Sequence, residues 1–512
     1  MSKAFAYFLI TISGLLFAMA WNSFFPAFSL FFAFVPLLFI VQYNKGSIEV
    51  FNLSFIVFLI FHIATVWWLS NSSFIGFLII ISINSFFMAT VVLLSFKTWK
   101  SFGYKMGIIS FVMFWLTFEY IHYHWAFSWP FMNLGNWLGQ IPVIVQWYEY
   151  TGVLGGTFWI LIINVLVFYL AEKLISKNIK QAIWVLFILG FTFLIPLYLS
   201  KRLYNNYIED GKEGKFKIIQ PNINPYTEKY NSELFDHQIN SMINLAIQED
   251  SSSIDCYLFP ESSFPVYLDE KALRNDSLMN QLSRQLVSSH EISVLGGLYS
   301  YQVVDNDTLF FNTAFMLNSN IQLYHKSKLV IGVEKMPFQE YLNFLKDLNI
   351  DFGGYNSSLT ADNEHKVFYS NDSSLRIAPI ICYESIYGQF VSEFINQGAT
   401  SIAIITNDGW WGHTPALNQI LMHAQLRAIE TRKSVVRAAN TGISCFINQK
   451  GSIVSQSKSW DRNYLYGSVF QNNKRTFYSR NGDFIGKISL YASIIFMLIN
   501  LYTIIKERTS SK

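Results

Sequence analysis

Residues 1–200 are almost continuously apolar, and a long polar region then runs to about residue 485 before one more apolar stretch. A chain patterned this way cannot fold as a single soluble core. In hydrocarbon every backbone N–H and C=O must find its partner within the segment, so apolar runs of about 20 residues become helices. The polar breaks predict spans at about 4–20, 24–42, 51–72, 74–96, 106–124, 151–171 and 182–200, and an eighth at about 488–505. Lys3 and the run Ala18, Met19, Ala20 imitate a cleavable leader. A second apolar stretch follows within a few residues, which favours an uncleaved first helix. Composition agrees, with 14% charged residues against about 25% in soluble chains. A net charge of +3 without a long basic run excludes nucleic acid as a partner.

Basic residues orient the spans. With the N-terminus inside, the inside segments hold Lys3, Lys45, Lys97, Lys100, Lys105, Lys173, Lys177, Lys180, Lys506, Arg508 and Lys512. The short outside segments near 21–23, 71–73 and 125–150 hold no Lys or Arg. That asymmetry follows the rule that basic loops stay cytoplasmic. Seven crossings then put the polar region outside. The expected organisation is a seven-helix membrane region over 1–202, an extracytoplasmic domain over 203–485, and a final helix with a cytoplasmic tail over 486–512. Segment 125–150 carries Trp125, Trp129, Trp137 and Trp147. It reads as an interfacial or re-entrant loop, or as a plain aromatic belt. Glu119, late in the fifth span, reads as a functional group, or as a side chain that simply reaches the interface or pairs with His122 or His124.

From about residue 214 short β-branched runs alternate with polar helical stretches. Strands are expected at 215–220, 255–260, 292–298, 310–317, 375–382, 400–406, 434–439 and 443–448, and helices at about 231–248, 272–289, 385–397 and 416–431. Continuous apolar strands imply sheets covered on both faces, hence a layered α/β domain inserted between membrane helices.

Three residues of chemical interest fall at strand ends, where open α/β sheets place their ligands. Cys382 follows Ile380 and Ile381 and opens a polar turn. Glu261 follows Phe259 and Pro260, and Lys326 follows Tyr324 and His325. A thiol with a carboxylate as base and an ammonium as electrostatic helper makes a cysteine nucleophile. Cys256 and Cys445 fall inside strands and read as small buried hydrophobes. The three cysteines form neither a disulfide framework nor a metal site. His413 and His423 also lack metal-ligand spacing.

On these residues the domain resembles the carbon–nitrogen hydrolase (nitrilase) superfamily. The matching stretches are Phe259, Pro260 and Glu261; Tyr324, His325 and Lys326; and Cys382, Tyr383 and Glu384. Further matches are Gln220 to Ile223, Asn312 and Thr313, Thr406 to Gly412, and Arg437 to Gly442. Ile331 to Val333 depart from the Pro-Phe-Gly that the superfamily usually shows after the lysine. The resemblance implies an α-β-β-α sandwich and selects Lys326 over its rivals Lys328 and Lys335. Glu261 becomes general base, Lys326 the oxyanion helper and Cys382 the nucleophile, with Glu334 and Glu384 in support. Flanking membrane helices point to the superfamily's lipid-acylating members. That implies an acyltransferase taking an acyl chain from a phospholipid through a thioester to the N-terminal amine of a diacylated lipoprotein.

Membrane lipids and the diacylated apolipoprotein are then the partners, with no cofactor and no metal. Trp410 and Trp411 line the substrate path or pack under their loop. The chain is expected to act as a monomer in a bacterial inner membrane with its domain periplasmic. Two alternatives remain open: a membrane-anchored amidase or nitrilase using water, and a non-catalytic lipoprotein-binding membrane protein.

Overall fold

The computed structural model describes residues 2–22, 25–44, 46–248, 253–287, 292–305, 307–331, 333–335 and 359–510. It divides into two compact units: Met1–Asn205 with Asp483–Lys512, and Asn206–Gly482.

The first unit is helical. In chain order it holds α1 (Lys3–Asn22), α2 (Val35–Tyr43), α3 (Ser47–Val66), α4 (Phe74–Phe102), α5 (Tyr104–Ile121), α6 (Tyr148–Ile175), α7 (Ile179–Asn206) and the final helix Phe484–Ser510. Among the described residues six helices are long and apolar enough to cross a membrane: Lys3–Trp21, Ser47–Asn71, Phe74–Phe102, Tyr148–Ile175, Ile179–Asn206 and Phe484–Thr503. The expected spans at 24–42 and 106–124 fall outside this group. The first is a 3₁₀ stretch, Phe25–Phe31, followed by the short α2. Pro36 explains the start of α2, because proline has no N–H to donate and suits only a helix's first turn. The second is α5, whose apolar run is diluted by Lys105 and Glu119. Outward-facing Trp184, Phe187, Phe191 and Tyr198 on α7 are exposed, as lipid-facing side chains are.

The aromatic loop is folded into this unit. It forms 3₁₀ turns at Pro130–Met132, Leu134–Gln140 and Pro142–Ile144. Trp137 is buried, its ring centroid 4.5 Å from that of Trp21. Glu119 anchors the loop: Oε1 accepts from Trp115 Nε1 at 3.0 Å and Leu134 N at 2.9 Å, and Oε2 from the Thr157 hydroxyl at 2.6 Å. These donors replace the expected partners His122 and His124. At Gly135 the loop comes so close to α6 that a Cβ would lie 2.0 Å from Val153 O.

The second unit is α/β. Its strands are β1 (Lys212–Gln220), β2 (Cys256–Leu258), β3 (Phe264–Asp269), β4 (Ser293–Val304), β5 (Asp307–Leu317), β6 (Ile321–His325), β7 (Phe368–Tyr369), β8 (Arg376–Ile381), β9 (Ser401–Thr406), β10 (Val435–Ala439), β11 (Cys445–Ile447), β12 (Ile453–Gln456) and β13 (Asn463–Gln471). Its helices are α8 (Phe235–Ile247), α9 (Ser277–Leu282), α10 (Gly388–Asn396), α11 (Ala416–Thr431) and α12 (Phe477–Asn481). One sheet runs β13-β1-β2-β4-β5-β6, with β3 beside β4, and the other β12-β11-β10-β9-β8-β7. The inner strands β1, β2 and β4 are parallel, as are β8, β9 and β10. β1 packs on β10 and β5 on β8, so the sheets stack face to face. α8 covers β1, β3 and β13, while α10 and α11 cover β8, β10 and β11. The result is the expected α-β-β-α sandwich. Every residue of β9 and of β10 is buried, as strands between two covering layers must be.

β3, β6, β7, β12 and β13 are not among the expected strands. Their burial alternates or is partial, or they are very short, so no continuous apolar run marks them. The helix expected at 272–289 is shorter, α9 followed by a π-type turn at Ser283–Val287, and its residues 288–289 lie outside the described residues.

Candidate active site

β2 ends at Leu258, three residues before Glu261; β6 ends at His325, directly before Lys326; β8 ends at Ile381, directly before Cys382. β6 runs in the direction of β4, because two antiparallel pairings separate them. Glu261 and Lys326 therefore project from the carboxyl rim of their sheet. β4 lets the Glu261 turn approach closely: a Cβ on Gly297 would lie 2.5 Å from Ser262 N and 2.8 Å from Glu261 Cα.

Cys382 has a φ of 50°, a left-handed conformation uncommon for residues with a Cβ. The strand there turns abruptly into the 3₁₀ segment Cys382–Ile386. Such a conformation persists only where neighbours hold it. Arg427 Nη1 donates to the carbonyl oxygens of Ser385 and Ile386 at 3.2 and 2.8 Å, and the Ser385 hydroxyl donates to Cys382 O at 2.7 Å.

Lys326 Nζ donates to Glu261 Oε1 and to Glu334 Oε1, both at 2.9 Å. Asn312 Nδ2 reaches the same two oxygens at 2.8 and 2.9 Å. Asn407 N donates to Glu261 Oε2 at 3.1 Å, and Val330 N to Glu334 Oε2 at 2.8 Å. Glu384 joins the other strand end to this cluster. Its Oε2 accepts from Ile381 N at 2.8 Å, and its Oε1 from Tyr324 OH at 2.6 Å and Ser327 N at 2.7 Å. One carboxylate thus ties the residue before Cys382 to the residue after Lys326.

Charge distributes accordingly. Burial alone would raise the Glu261 carboxyl, but Lys326 and the hydrogen bonds from Lys326 and Asn312 hold it below the ordinary range. Burial pulls on Lys326 too, yet Glu261 and Glu334 keep its ammonium well above its usual value. Burial pushes the Cys382 thiol up; Glu261 and Asp408 add to this, and Lys326 opposes it. At neutral pH the site rests as a carboxylate, an ammonium and a neutral thiol. That is a nucleophile requiring a base, with one beside it. Burial also raises Glu384, to about 7.

Lys328 lies elsewhere, its Nζ 5.4 and 5.5 Å from the ring centres of Tyr387 and Phe390. Trp410 and Trp411 form the 3₁₀ turn Asp408–Trp411 after β9, both half-buried. Trp410 stacks near Tyr230, with centroids 6.4 Å apart, and its carbonyl accepts from Tyr226 OH at 2.8 Å. Asp408 is buried, paired with Arg437 at 2.5 Å, and accepts from the Thr406 hydroxyl at 2.6 Å. Cys256 and Cys445 are buried within their strands.

Sequence reasoning gave no role to Asn312, Arg427 or Lys229. Lys229 is buried, and its Nζ donates to Glu261 O at 3.3 Å. The asparagine could have been found as the amide within the mostly apolar run Phe310–Leu317 of β5. The other two look like surface cations in the sequence.

Comparison with known proteins gives the chain's family. Residues 218–475 match the family described as Carbon-nitrogen hydrolase, and residues 13–166 match the Apolipoprotein N-acyltransferase N-terminal domain. The apolipoprotein N-acyltransferase of Chlorobaculum tepidum is 26% identical over 518 residues, covering 96% of each chain. That of Rickettsia typhi is 28% identical over 451 residues, covering 86% of this chain and 84% of the relative. Among solved structures, Nit3 of Saccharomyces cerevisiae, in the nitrilase superfamily, is 12% identical with a TM-score of 0.37, covering 51% of this chain and 90% of that one.

Proposed function

Since this chain belongs to the carbon–nitrogen hydrolase family, and carries ahead of that domain the N-terminal domain of apolipoprotein N-acyltransferases, we propose that it transfers an acyl chain from a membrane phospholipid to a lipoprotein. It is an acyltransferase of lipoprotein maturation. The acceptor is the N-terminal amine of a diacylglyceryl-cysteine. The observation that carries the reading is the 2.9 Å Glu261–Lys326 pair, charged beside a neutral Cys382 thiol, in a chain whose helices suit a membrane.

In the first step Glu261 takes the proton from Cys382 Sγ as the sulfur attacks the ester carbonyl of the phospholipid. Lys326 and the N–H groups of the turn after Cys382 hold the oxyanion. The C–O bond breaks, the departing oxygen takes the proton from Glu261, and lysophospholipid leaves an acyl thioester on Cys382. In the second step the neutral amine attacks that thioester and gives a proton to Glu261. The C–S bond breaks, an amide forms, and the proton returns to Cys382. Glu334 keeps Lys326 aimed, Glu384 keeps the nucleophile turn in register with Lys326, and Trp410 and Trp411 border the acyl or lipoprotein path. One chain holds the whole set of groups, which fits a monomer.

The organisation supports a domain over 203–485 facing away from the cytoplasm of a bacterial inner membrane, between helices over 1–202 and 486–512. Five of the long apolar helices precede the domain, and seven do so if α2 and α5 also cross. Both counts are odd, so the domain lies opposite the N-terminus either way. The basic residues favour seven, because five would strand Lys45, Lys97, Lys100 and Lys105 outside.

Purified full-length protein given phospholipid with labelled acyl chains and a diacylated lipopeptide should yield labelled amide and lysophospholipid. Free fatty acid without amide would leave a hydrolase instead. A reporter fused at about residue 300 should register outside the cytoplasm.

A further inference from the structure

Glu261 has a second cation beside it. Lys229 lies in the turn between β1 and α8, 3% exposed, with Nζ 3.3 Å from the main-chain oxygen of Glu261 and 5.9 Å from the centre of the Tyr230 ring. That carbonyl is its one side-chain hydrogen bond among the described residues, although an ammonium has three donors. An ammonium buried so sparsely is costly unless negative charge compensates it. The neighbouring charges are those of the catalytic cluster. Two carboxylates, Glu261 and Glu334, share one ammonium, Lys326, and Asp408 is matched by Arg437. Glu384, raised by burial to about 7, is held by its own hydrogen bonds. Among the described groups around Glu261 one negative charge is left over, and Lys229 balances it. When Glu261 takes the thiol proton, that charge moves from carboxyl to sulfur, and Lys229 feels both positions.

We propose that Lys229 is a positioning residue of this centre: it fixes the Glu261 turn through the main-chain oxygen and supplies the counter-charge against which Glu261, then Cys382, carries its negative charge. This rests on the reading of Glu261, Lys326 and Cys382 as base, oxyanion helper and nucleophile. The groups facing Lys229 are Glu261 after β2, Cys382 after β8 and the Tyr230 ring on its own turn, with Lys326 and Glu334 bound at the Glu261 carboxylate. Burial lowers the Lys229 ammonium to about 8, against the pull of Glu261 and Cys382. A lysine so depressed loses its charge as pH rises through that value, so acylation of Cys382 declines there.

The test measures thioester formation on Cys382 in full-length protein in phospholipid vesicles, from about pH 5 to about pH 10. Wild type, Lys229→Met, Lys229→Arg and Cys382→Ala are compared, each checked for thermal unfolding. Lys229→Met should slow acylation about tenfold for each pKa unit of interaction removed, move the acidic limb upward and abolish the decline near 8. Lys229→Arg should recover part of the rate and extend the alkaline limb, because guanidinium stays charged. A Lys229→Met rate and profile equal to wild type would overturn the proposal. So would a slowed variant with the alkaline limb intact and no rescue by arginine. If Lys229→Met does not fold, the alkaline limb of Lys229→Arg decides alone, and an unmoved limb refutes. Thioester absent from wild type, or label on Cys382→Ala, defeats the base–nucleophile reading itself and Lys229 with it.

Discussion

Replacing Lys326 with methionine removes one charge that two buried carboxylates share. At 2.9 Å and an effective dielectric of about 20, each pair is worth about 6 kcal/mol of Coulomb attraction. That sum is not the measured cost, because the Oε1 atoms of Glu261 and Glu334 would be left on one Asn312 nitrogen, and one of the two carboxylates would take up a proton. Breaking a buried pair by removing one partner costs about 3–5 kcal/mol, which for a domain of this size lowers the melting temperature by roughly 6–20 °C. The loss should depend on pH in a stated sense. In the wild type the depressed Glu261 carboxyl contributes stability above its unfolded value of about 4.3, lost on acidification. In the variant one carboxyl titrates above that value instead, so its contribution is present at low pH and fades as pH rises. The gap between the two proteins should therefore widen between about pH 5 and about pH 8. Thioester formation should fall by about 100- to 1,000-fold, as for loss of one oxyanion donor. Melting in detergent across pH, with mass spectrometry of the Cys382 peptide, measures both. Wild-type acylation by Lys326→Met, or a melting gap independent of pH, refutes the reasoning.

Three further changes probe the surrounding network. Glu384→Gln turns an amide N–H toward donors whichever way it rotates, since both oxygens accept; it should cost about 2–4 kcal/mol in chemical denaturation and slow thioester formation about 100-fold through misplacement of Cys382. Arg437→Met should cost about 3–5 kcal/mol by leaving Asp408 buried without a counter-charge, and adding Asp408→Leu should recover part of that; a larger loss in the double variant contradicts the pairing. Glu119→Gln cannot accept from Trp115, Leu134 and Thr157 together, so Trp fluorescence should become more accessible to an aqueous quencher as the loop around Trp137 loosens.

Local patterns made much of the domain legible. The strands buried along their whole length, such as β9 and β10, announce themselves by short runs of Ile, Val and Ala, broken in β10 only by Arg437, because two covering layers favour apolar residues on both faces. The edge strands β12 and β13 are only partly buried and carry no such run. In the membrane unit hydropathy marks where apolar segments lie, but α2 is shortened by chain geometry that a hydropathy average does not see. Glu119 was visible as an ionisable group in an apolar segment. Two of its three donors were not, because Leu134 and Thr157 come from other parts of the chain.

The sequence by itself determined that the chain meets a membrane, that an α/β domain sits between its apolar segments, and that Glu261, Lys326 and Cys382 stand at strand ends. These follow from periodicity and from short stretches whose members are neighbours in the chain. The tertiary structure alone decided which groups hold those residues: Asn312 across two carboxylates, Glu384 across two strand ends, Arg427 under the nucleophile turn and Lys229 against Glu261. The reason is that a buried polar group must find its partner in space. That partner can come from any segment the fold brings near, so no local spacing records the pairing.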